Sequence, residues 1–481
     1  MSYFFEDDSA IVIGNILSVE RNQEINIDKI VQITGASKEV LNSFFENLTQ
    51  LGLLTLNPPS KEFILSYRKS VSELKRQKLS QEKMTIDKLP FKKDDAETSY
   101  LRKVGGVTQA MLELTYNCSE KCIHCYNIGA TRNDDEISYR GNSEELTFAD
   151  YKRIIDELYD GGCFKIALSG GDPFSKPFAW DIIRYLHEKG LAFDIYTNAQ
   201  GLVGKVADMI ALYPRLLSIS LYADNPLIHD GITRIPGSWN RTVSVINQLG
   251  DYGVPMDIKV CIMRSNLKSY RGVSEIARKA GGMALFEASI NDSVDGDKCV
   301  STFLRLTPEE YEIIFRDANI GLYVGPEVPE YGKQEHHLGN PMCEGGRAAV
   351  CIDPTGNVMP CSAFHLNFGN LKKQSLKEII ETSPSYNRWI SSKLSDCTEC
   401  TSHDYCDYCV LCPGKAYSEH GDWRKPSENS CYIAKIRHKV AMDLKNGKDP
   451  LNGKTIDECL NSLPSIKLPK LKRTYQTTKD E

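Results

Sequence analysis

The feature that most constrains the fold is an alternation of apolar, strand-like segments with helical segments between residues 107 and about 320. The strand candidates are "QAMLELTY", "FKIALSG", "AFDIYTNA", "LLSISLY", "MDIKVCIM" and "ALFEASI". The helical segments between them include "FADYKRIIDELYDGG", "PFAWDIIRYLHEKG" and "SWNRTVSVINQLGDYG". Repeated strand–helix units predict an α/β fold, with a parallel sheet covered by helices. Because six units are fewer than the eight of a closed barrel, we expect a partial (β/α)6 barrel.

Three cysteines follow the first strand candidate. They are Cys118, Cys122 and Cys125 in "ELTYNCSEKCIHCYNIGA", spaced C-x3-C-x2-C. Loops after the strands form the active face of a parallel α/β barrel, so we expect the three thiols at that face. A [4Fe–4S] cluster is usually held by four thiolates, and three would leave one iron open to a substrate or cofactor. A tetrahedral zinc site or three reduced buried cysteines are the alternatives, although no fourth cysteine follows before Cys163.

This spacing, with His124 at the aromatic position before the third cysteine, resembles the signature of the radical S-adenosylmethionine (SAM) enzymes. The resemblance covers roughly residues 107–320. It implies that Cys118, Cys122 and Cys125 are the catalytic residues and hold a [4Fe–4S] cluster whose open iron chelates SAM. It also implies that an electron from the cluster cleaves SAM to methionine and a 5′-deoxyadenosyl radical, which removes a hydrogen atom from a substrate.

Further motifs of the same family follow the next strands. "SGGDPF" resembles the Gly-Gly-Glu-Pro motif that binds the SAM amino group through exposed backbone, with Asp172 where Glu is usual. "YTNA" is similar to the family's Thr-Asn-Gly, and "SISLY" places a polar residue at the end of the fourth strand. The residues that the resemblance assigns to SAM are His124 at the adenine, Gly170, Gly171, Asp172 and Pro173 at the amino group, and Ser220 at the ribose.

Nine cysteines between residues 343 and 431 form a second group. Twelve residues separate Cys343 from Gly356, and Gly356 stands five residues before Cys361. This pattern, followed by C-x2-C-x5-C and a late cysteine, resembles the SPASM extension, which implies two auxiliary [4Fe–4S] clusters and three clusters in total. The implied inner ligands are Cys343, Cys361 and one of Cys409 or Cys412, with Cys351 as a further candidate, and the implied outer ligands are Cys397, Cys400, Cys406 and Cys431. The spacing after Cys406 departs from the common pattern and leaves the choice between Cys409 and Cys412 open, and a pair of zinc ribbons is the alternative.

Residues 1–65 are expected to form a winged-helix-like domain. "IDKIVQITG" and "SKEVLNSFFENLTQLGLLTL" predict two helices and the start of a wing, with Ser37 as an N-cap. Eight acidic and three basic residues among the first 60 disfavour DNA binding. A small helical cap on the next domain is the alternative. The rest of the chain is expected to comprise a partly helical linker (66–105), a radical SAM core (106–325), a SPASM domain (326–445) and a C-terminal tail (446–481). Within the SPASM domain, residues 340–435 are expected to be loop-like.

The composition restricts the location of the protein and its partners. The net charge of −6 argues against non-specific nucleic-acid binding, and no apolar run of about 18 residues predicts a membrane span. The first residues, "MSYFFEDDSA", lack the basic and apolar regions of a secretory signal. Twelve of the sixteen cysteines are clustered, and in a reducing compartment such clusters favour metal binding over disulfides. We therefore expect a cytoplasmic protein without a nucleic-acid or membrane partner, and the resemblance implies an electron donor such as flavodoxin or ferredoxin.

The three domains together resemble maturases of ribosomally made, post-translationally modified peptides. In many of these, the N-terminal unit recognises the leader of a precursor peptide by taking it as an added strand. The resemblance implies hydrogen abstraction from a precursor peptide and formation of a thioether or carbon–carbon crosslink. Three alternatives stay open: a peptide epimerase with Cys261 or Cys299 as hydrogen-atom donor, a sulfatase-type maturase that generates formylglycine, and a non-catalytic DNA and redox sensor.

Overall fold

The fold is taken from a computed structural model of the 481-residue chain. It describes residues 27–50, 60–81, 106–127, 144–292, 299–329, 339–400, 403–464 and 466. The chain divides into two compact units, residues Met1–Tyr67 and Arg68–Glu481.

The described part of the first unit is helical. Helix α1 (Ile27–Thr34) and helix α2 (Lys38–Gln50) are followed by the start of helix α3 (Lys61–Gln81). Ser37 Oγ accepts the Val40 N–H at 3.3 Å, which confirms the predicted cap, and Ile30 and Leu41 form a small buried core between α1 and α2. Residues 1–26 and the expected wing lie outside the described residues, so the winged-helix domain stays a prediction.

The second unit contains a nine-stranded sheet in the order β6-β5-β4-β3-β2-β1-β7-β8-β9. Its first six strands are β1 (Gln109–Thr115), β2 (Lys165–Gly170), β3 (Ala192–Thr197), β4 (Leu216–Ser220), β5 (Met256–Cys261) and β6 (Met283–Glu287). Each pairs in parallel with the next, which confirms the six predicted strands and their orientation. The closure of these strands into a partial barrel stays a prediction.

Helices connect the parallel strands, as the alternating pattern predicts. They are α4 (Phe148–Asp160), α5 (Ala179–Glu188), α6 (Val206–Ala211), α7 (Pro226–Thr233), α8 (Ser238–Asp251) and α9 (Gly272–Lys279), followed by α10 (Cys299–Leu304) and α11 (Pro308–Phe315). Helix α4 shows why they form: Thr147 and Asp150 make a reciprocal capping box, and Tyr151, Ile154 and Leu158 are buried at helical spacing. Full burial of each such apolar side chain stabilises the fold by roughly 1.5–3 kcal/mol.

The second cysteine region is more regular than the sequence suggests. It contains β7 (Ala349–Ile352), β8 (Asn357–Met359) and β9 (Gly369–Asn370), then α12 (Leu376–Thr382), α13 (Pro384–Ser391), α14 (Pro413–His420) and α15 (Glu428–Lys445). Helix α16 (Ile456–Ser462) follows in the segment expected to be the tail. The expectation of a loop-like region is therefore wrong. Strand β7 pairs in parallel with β1, with Met111 opposite Cys351, so this region extends the main sheet. Within the described residues, no helix is both long and apolar enough to cross a membrane.

Candidate cofactor and cluster site

The three clustered cysteines lie on a loop that begins where β1 ends. The loop is tied down at several points: the Lys121 N–H donates to the Thr233 carbonyl at 2.9 Å, and the Ile123 N–H donates to the Ile232 carbonyl at 3.0 Å. A further backbone bond, from the Cys125 N–H to the Cys122 carbonyl at 3.2 Å, closes a turn between two of the thiols. The carboxyl end of β1 and the end of α7 thus hold this loop at the end of the sheet where parallel strands carry their functional residues.

The cysteine side chains on this loop share one partly buried environment. Cys118 Sγ accepts from the Glu120 N–H at 3.4 Å, and the Cys122 thiol donates to Glu120 Oε2 at 3.6 Å. Burial, together with the nearby Asp172 carboxylate, raises the pKa of Cys118, and burial together with Glu120 raises that of Cys122. Both thiols also interact electrostatically with Cys125.

This donor set fits an iron–sulfur cluster. Cluster ligands are thiolates, and three mutually repelling buried thiolates need a positively charged group between them. Free thiols are present at all three positions. Among the described residues, no three His, Cys, Asp or Glu side chains already stand as ligands of a single metal ion.

Two glycines allow the end of β2 to approach this loop. A Cβ on Gly170 would lie 2.3 Å from the Thr115 carbonyl oxygen, and one on Gly171 would lie 2.4 Å from that of Asn117. Gly170 also has φ +122°, which L-residues rarely adopt. The N–H of Gly171 donates to Thr115 O at 2.7 Å and that of Asp172 to Asn117 O at 3.0 Å, so these two amides bond the cysteine loop. The Gly-Gly pair is therefore needed for packing whether or not it also meets SAM.

Asp172 joins the loops that follow β2 and β3. Its Oδ2 accepts from Thr197 Oγ1 at 2.7 Å and from the Asn198 N–H at 2.9 Å, and its Oδ1 accepts from the Phe174 N–H at 3.0 Å. Burial raises the pKa of Asp172, while these three donors oppose that rise. Pro173 then starts a short 3-10 turn, Pro173–Ser175. Both Asp172 oxygens therefore have hydrogen-bond donors within the protein. The family resemblance, in contrast, assigns this motif to SAM binding.

His124 and Ser220, expected at the adenine and ribose of SAM, are brought to the same tyrosine. The His124 ring meets the Tyr222 ring edge-on with centroids 4.5 Å apart, and Ser220 hydrogen-bonds the Tyr222 side chain. The Tyr222 hydroxyl in turn lies 3.9 Å from Cys122 Sγ. Burial lowers the pKa of His124 to about 4, so its imidazole is neutral at pH 7. These residues form an aromatic, uncharged wall beside the cysteine loop.

The cysteines of the second region separate into two groups. In the inner group, Cys343 and Cys361 each interact electrostatically with Cys412. Cys351 is fully buried on β7 and interacts with Cys361. The structure therefore brings Cys412, rather than Cys409, towards the inner group.

The outer group surrounds a cavity of about 90 Å³. The four cysteines that line it are Cys400, Cys406, Cys409 and Cys431. Cys397, which the resemblance also assigns to this group, is buried and hydrogen-bonds Cys400, and this contact lowers the pKa of Cys400. Five thiols thus gather where four ligands are expected.

Some residues of the site were not singled out from the sequence. Asn198 Nδ2 donates to Cys118 Sγ at 3.5 Å and to Ser119 Oγ at 3.1 Å, and its sequence signal was the "YTNA" segment that contains it. Tyr222 was noted in the sequence only as the last residue of the fourth strand candidate. Of the two proposed hydrogen-atom donors, Cys261 packs against the cluster of Ile123, Tyr222 and Met263. The side chain of Cys299 lies outside the described residues.

Comparisons with known proteins match two segments of the second unit. Residues 112–265 match the radical SAM superfamily and residues 343–413 match an iron–sulfur cluster-binding domain, SPASM. The chain therefore carries a radical SAM domain followed by a SPASM domain. It is an enzyme with SAM and iron–sulfur clusters as its cofactors.

The proteins that are similar to this chain are named for different activities. An AdoMet-dependent heme synthase of Methanosarcina barkeri is 26% identical over 65% of this chain and 92% of its own length. A PqqA peptide cyclase of Ruegeria pomeroyi is 27% identical over 58% of this chain and 75% of its own length. The crystal structure of Streptococcus suis SuiB bound to S-adenosylmethionine has a similar fold, with a TM-score of 0.50 and 15% identity over 75% of this chain and 87% of that chain.

Proposed function

We propose that this enzyme modifies a ribosomally made precursor peptide by radical hydrogen abstraction. The observation that carries the proposal is the trio of half-buried thiols on the loop after β1, next to the uncharged rings of His124 and Tyr222. The similarity to a PqqA peptide cyclase supports a peptide as substrate. The bond formed is a thioether or a carbon–carbon crosslink.

In this proposal, each residue of the site has a distinct role. When bound, a reduced [4Fe–4S] cluster with SAM supplies the 5′-deoxyadenosyl radical. Cys118, Cys122 and Cys125 hold that cluster, and Asn198 orients Cys118 through its 3.5 Å hydrogen bond. His124, Ser220 and Tyr222 exclude water from the side of the loop where SAM is expected.

The SPASM domain holds two further clusters in this proposal. The inner ligands are Cys343, Cys361 and Cys412, with buried Cys351 beside them, and the outer ligands are four of the five cysteines 397, 400, 406, 409 and 431. These clusters take electrons from, or pass them to, a flavodoxin or ferredoxin. Residues 1–65 bind the leader of the peptide.

A peptide epimerase is the second candidate, because of the place of Cys261. This thiol ends β5, packs against Ile123 and Tyr222, and interacts electrostatically with Cys125. An epimerase needs a side chain that returns a hydrogen atom to the substrate radical, and Cys261 stands beside the site where that radical would form. Alanine at Cys261 should then abolish epimerisation while SAM cleavage continues.

The test is anaerobic reconstitution followed by co-expression with the candidate precursor peptides encoded beside the gene. We expect iron rather than zinc on the trio, 5′-deoxyadenosine under dithionite, and a peptide that loses two hydrogens. Deuterium uptake from heavy water without a change of connectivity would indicate the epimerase, and formylglycine the sulfatase-type activity. Modification of a porphyrin precursor without any effect on peptides would contradict the proposal in favour of the heme-synthase relatives.

A further inference from the structure

A small cavity lined mainly by polar residues borders the first cysteine loop and the SPASM domain. Its volume is about 30 Å³, and one of its lining residues is Tyr126, directly after Cys125. On the other side, His365 follows Cys361 by four residues and Lys415 follows Cys412 by three. The cavity therefore lies between the thiol group expected to generate the radical and the inner thiol group.

Asn429 presents an unsatisfied acceptor to this cavity. The residue is 5% exposed, and its Nδ2 donates to the Ile290 carbonyl at 3.3 Å and to Ser289 Oγ at 3.1 Å. Because a carbonyl oxygen can only accept, these contacts fix which atom of the amide is nitrogen. Asn429 Oδ1 is left with no hydrogen-bond partner among the described residues.

Two more acceptors on the lining are also unsatisfied. Asn291 Oδ1 and His365 Nε2 are buried atoms for which the described part of the chain provides no partner. Burial lowers the pKa of His365, and the ring donates to the Ser362 carbonyl. Since Nε2 is the unpartnered nitrogen, Nδ1 carries the proton and Nε2 offers a lone pair. A buried polar atom without a partner is costly, so three acceptors together indicate a missing donor.

Each charged residue on the lining already has a partner within the protein. Arg305 Nη2 pairs with Asp292 Oδ1 at 2.6 Å, and Lys415 Nζ donates to Ser289 Oγ at 2.6 Å. Glu419 accepts from Ser427 Oγ at 2.9 Å and from backbone amides at the start of α15. Two cations and two carboxylates give the lining no net charge, which favours an uncharged ligand.

We propose that this cavity binds an uncharged N–H group of the substrate, a backbone amide or a side-chain carboxamide, through Asn291, Asn429 and His365. The identification of that group with a peptide rests on the proposed function. One bound amide would fix the substrate between the two thiol groups and so select which C–H bond is exposed to the radical.

Soaking tests the ligand class directly. Crystals of the holoenzyme are soaked anaerobically in equal concentrations of acetamide, methylammonium or acetate. We expect acetamide in the cavity, with its nitrogen facing Asn291 Oδ1 and Asn429 Oδ1. Density for acetate or methylammonium instead, or water in all three soaks, would overturn the proposal. Because soaking requires neither SAM cleavage nor a peptide, its failure is separate from failure of the proposed function.

A variant tests the consequence for the substrate. Asn291→Ala removes one acceptor without touching the contacts that Asn429 makes to Ser289 and Ile290, and the matched control is Asn247→Ala on the exposed face of α8. Once a modified peptide is known, Asn291→Ala should weaken its binding about tenfold, as the loss of one hydrogen bond predicts. An unchanged dissociation constant would contradict the role of Asn291 in substrate binding.

Discussion

At the scale of single residues, Asp172 illustrates how a family motif can serve packing. Its carboxylate receives three hydrogen bonds from the loops after β2 and β3, and one of its partners, Asn198, also contacts Cys118. The sequence predicted the motif and its position. It could not predict that a shortened side chain, Asp for Glu, would turn its two oxygens towards protein donors, because those donors lie 25 and 26 residues further along the chain.

Asp172→Asn should destabilise the protein by about 2 kcal/mol, because an amide nitrogen cannot accept and at least one of three buried donors would lose its partner. Urea denaturation under anaerobic conditions measures this loss, with exposed Asp160→Asn as the control. We also expect weaker SAM binding, since Asn198 would lose its alignment with Cys118. Unchanged stability together with lost SAM binding would show instead that the carboxylate contacts SAM.

His229 predicts a dependence of stability on pH. It is fully buried, its Nδ1 accepts the Tyr222 N–H at 3.2 Å, and burial lowers its pKa to about 4. In the unfolded chain this imidazole takes up a proton near pH 6.5, whereas in the folded protein it stays neutral down to about pH 4. Its contribution to the free energy of unfolding is therefore complete above pH 6.5 and is lost as the pH falls towards 4. Between pH 7.5 and pH 5, the free energy of unfolding of the wild type should fall by about 2 kcal/mol more than that of His229→Gln. If the free energies of unfolding of the two proteins changed equally with pH, this would contradict the burial of a neutral imidazole.

At the scale of elements, predictability followed the length of the apolar segments. Six strands of five to seven residues separated by helices were predicted from the sequence, because each shows its own apolar run. Strand β7 was missed because "AVCI" is only four residues long and its partner, β1, lies more than 230 residues earlier in the chain. The glycines of "SGGDPF" were predicted to approach a ligand, whereas the close approach found in the structure is to the backbone of the cysteine loop.

Gly171→Ala tests this close approach. The added Cβ would overlap the carbonyl oxygens of Tyr116 and Asn117, and backbone atoms cannot move away as a flexible side chain can. The displaced loop carries Cys118, so we expect loss of about four irons per chain and of SAM cleavage, with the SPASM clusters retained. Gly339→Ala is the matched control, since its Cβ would enter open space. Full iron content in Gly171→Ala would show that the loop can relax.

Cys409 and Cys412 are separated by local structure that their spacing does not reveal. Cys409 ends the 3-10 turn Asp404–Tyr408, whereas Cys412 precedes α14, and the two thiols turn towards different groups. Cys412→Ala should therefore lose the inner cluster and about four irons per chain. Cys409→Ala should keep its iron, because four thiols of the outer group remain. Iron analysis and electron paramagnetic resonance of the reduced variants would decide, and equal losses would contradict the assignment.

At the scale of the whole molecule, the boundary between the two units falls inside a helix. Helix α3 begins in the first unit and continues into the second, where Ser72 is 5% exposed and donates through Oγ to the Gly250 carbonyl at 3.2 Å. The sequence predicted a partly helical linker from residue 66, since its Lys, Glu and Gln content favours helix without indicating a packed face. The buried serine shows that α3 contacts the end of α8 at Ser72. A truncation that tests the first unit must therefore leave α3 whole.

Deletion of residues 1–60 meets this requirement, because it keeps α3 from Lys61 onward and every cysteine of the chain. We expect the truncated protein to keep its iron and to cleave SAM without peptide at the rate of the intact chain. Its affinity for the precursor peptide should fall at least tenfold, since the leader would lose the unit that we propose to bind it. Fluorescence anisotropy with labelled leader and labelled core segments distinguishes the two parts of the peptide, and only the leader should lose binding. Equal peptide binding and modification by both proteins would place recognition entirely in the second unit, as a sulfatase-type maturase would require.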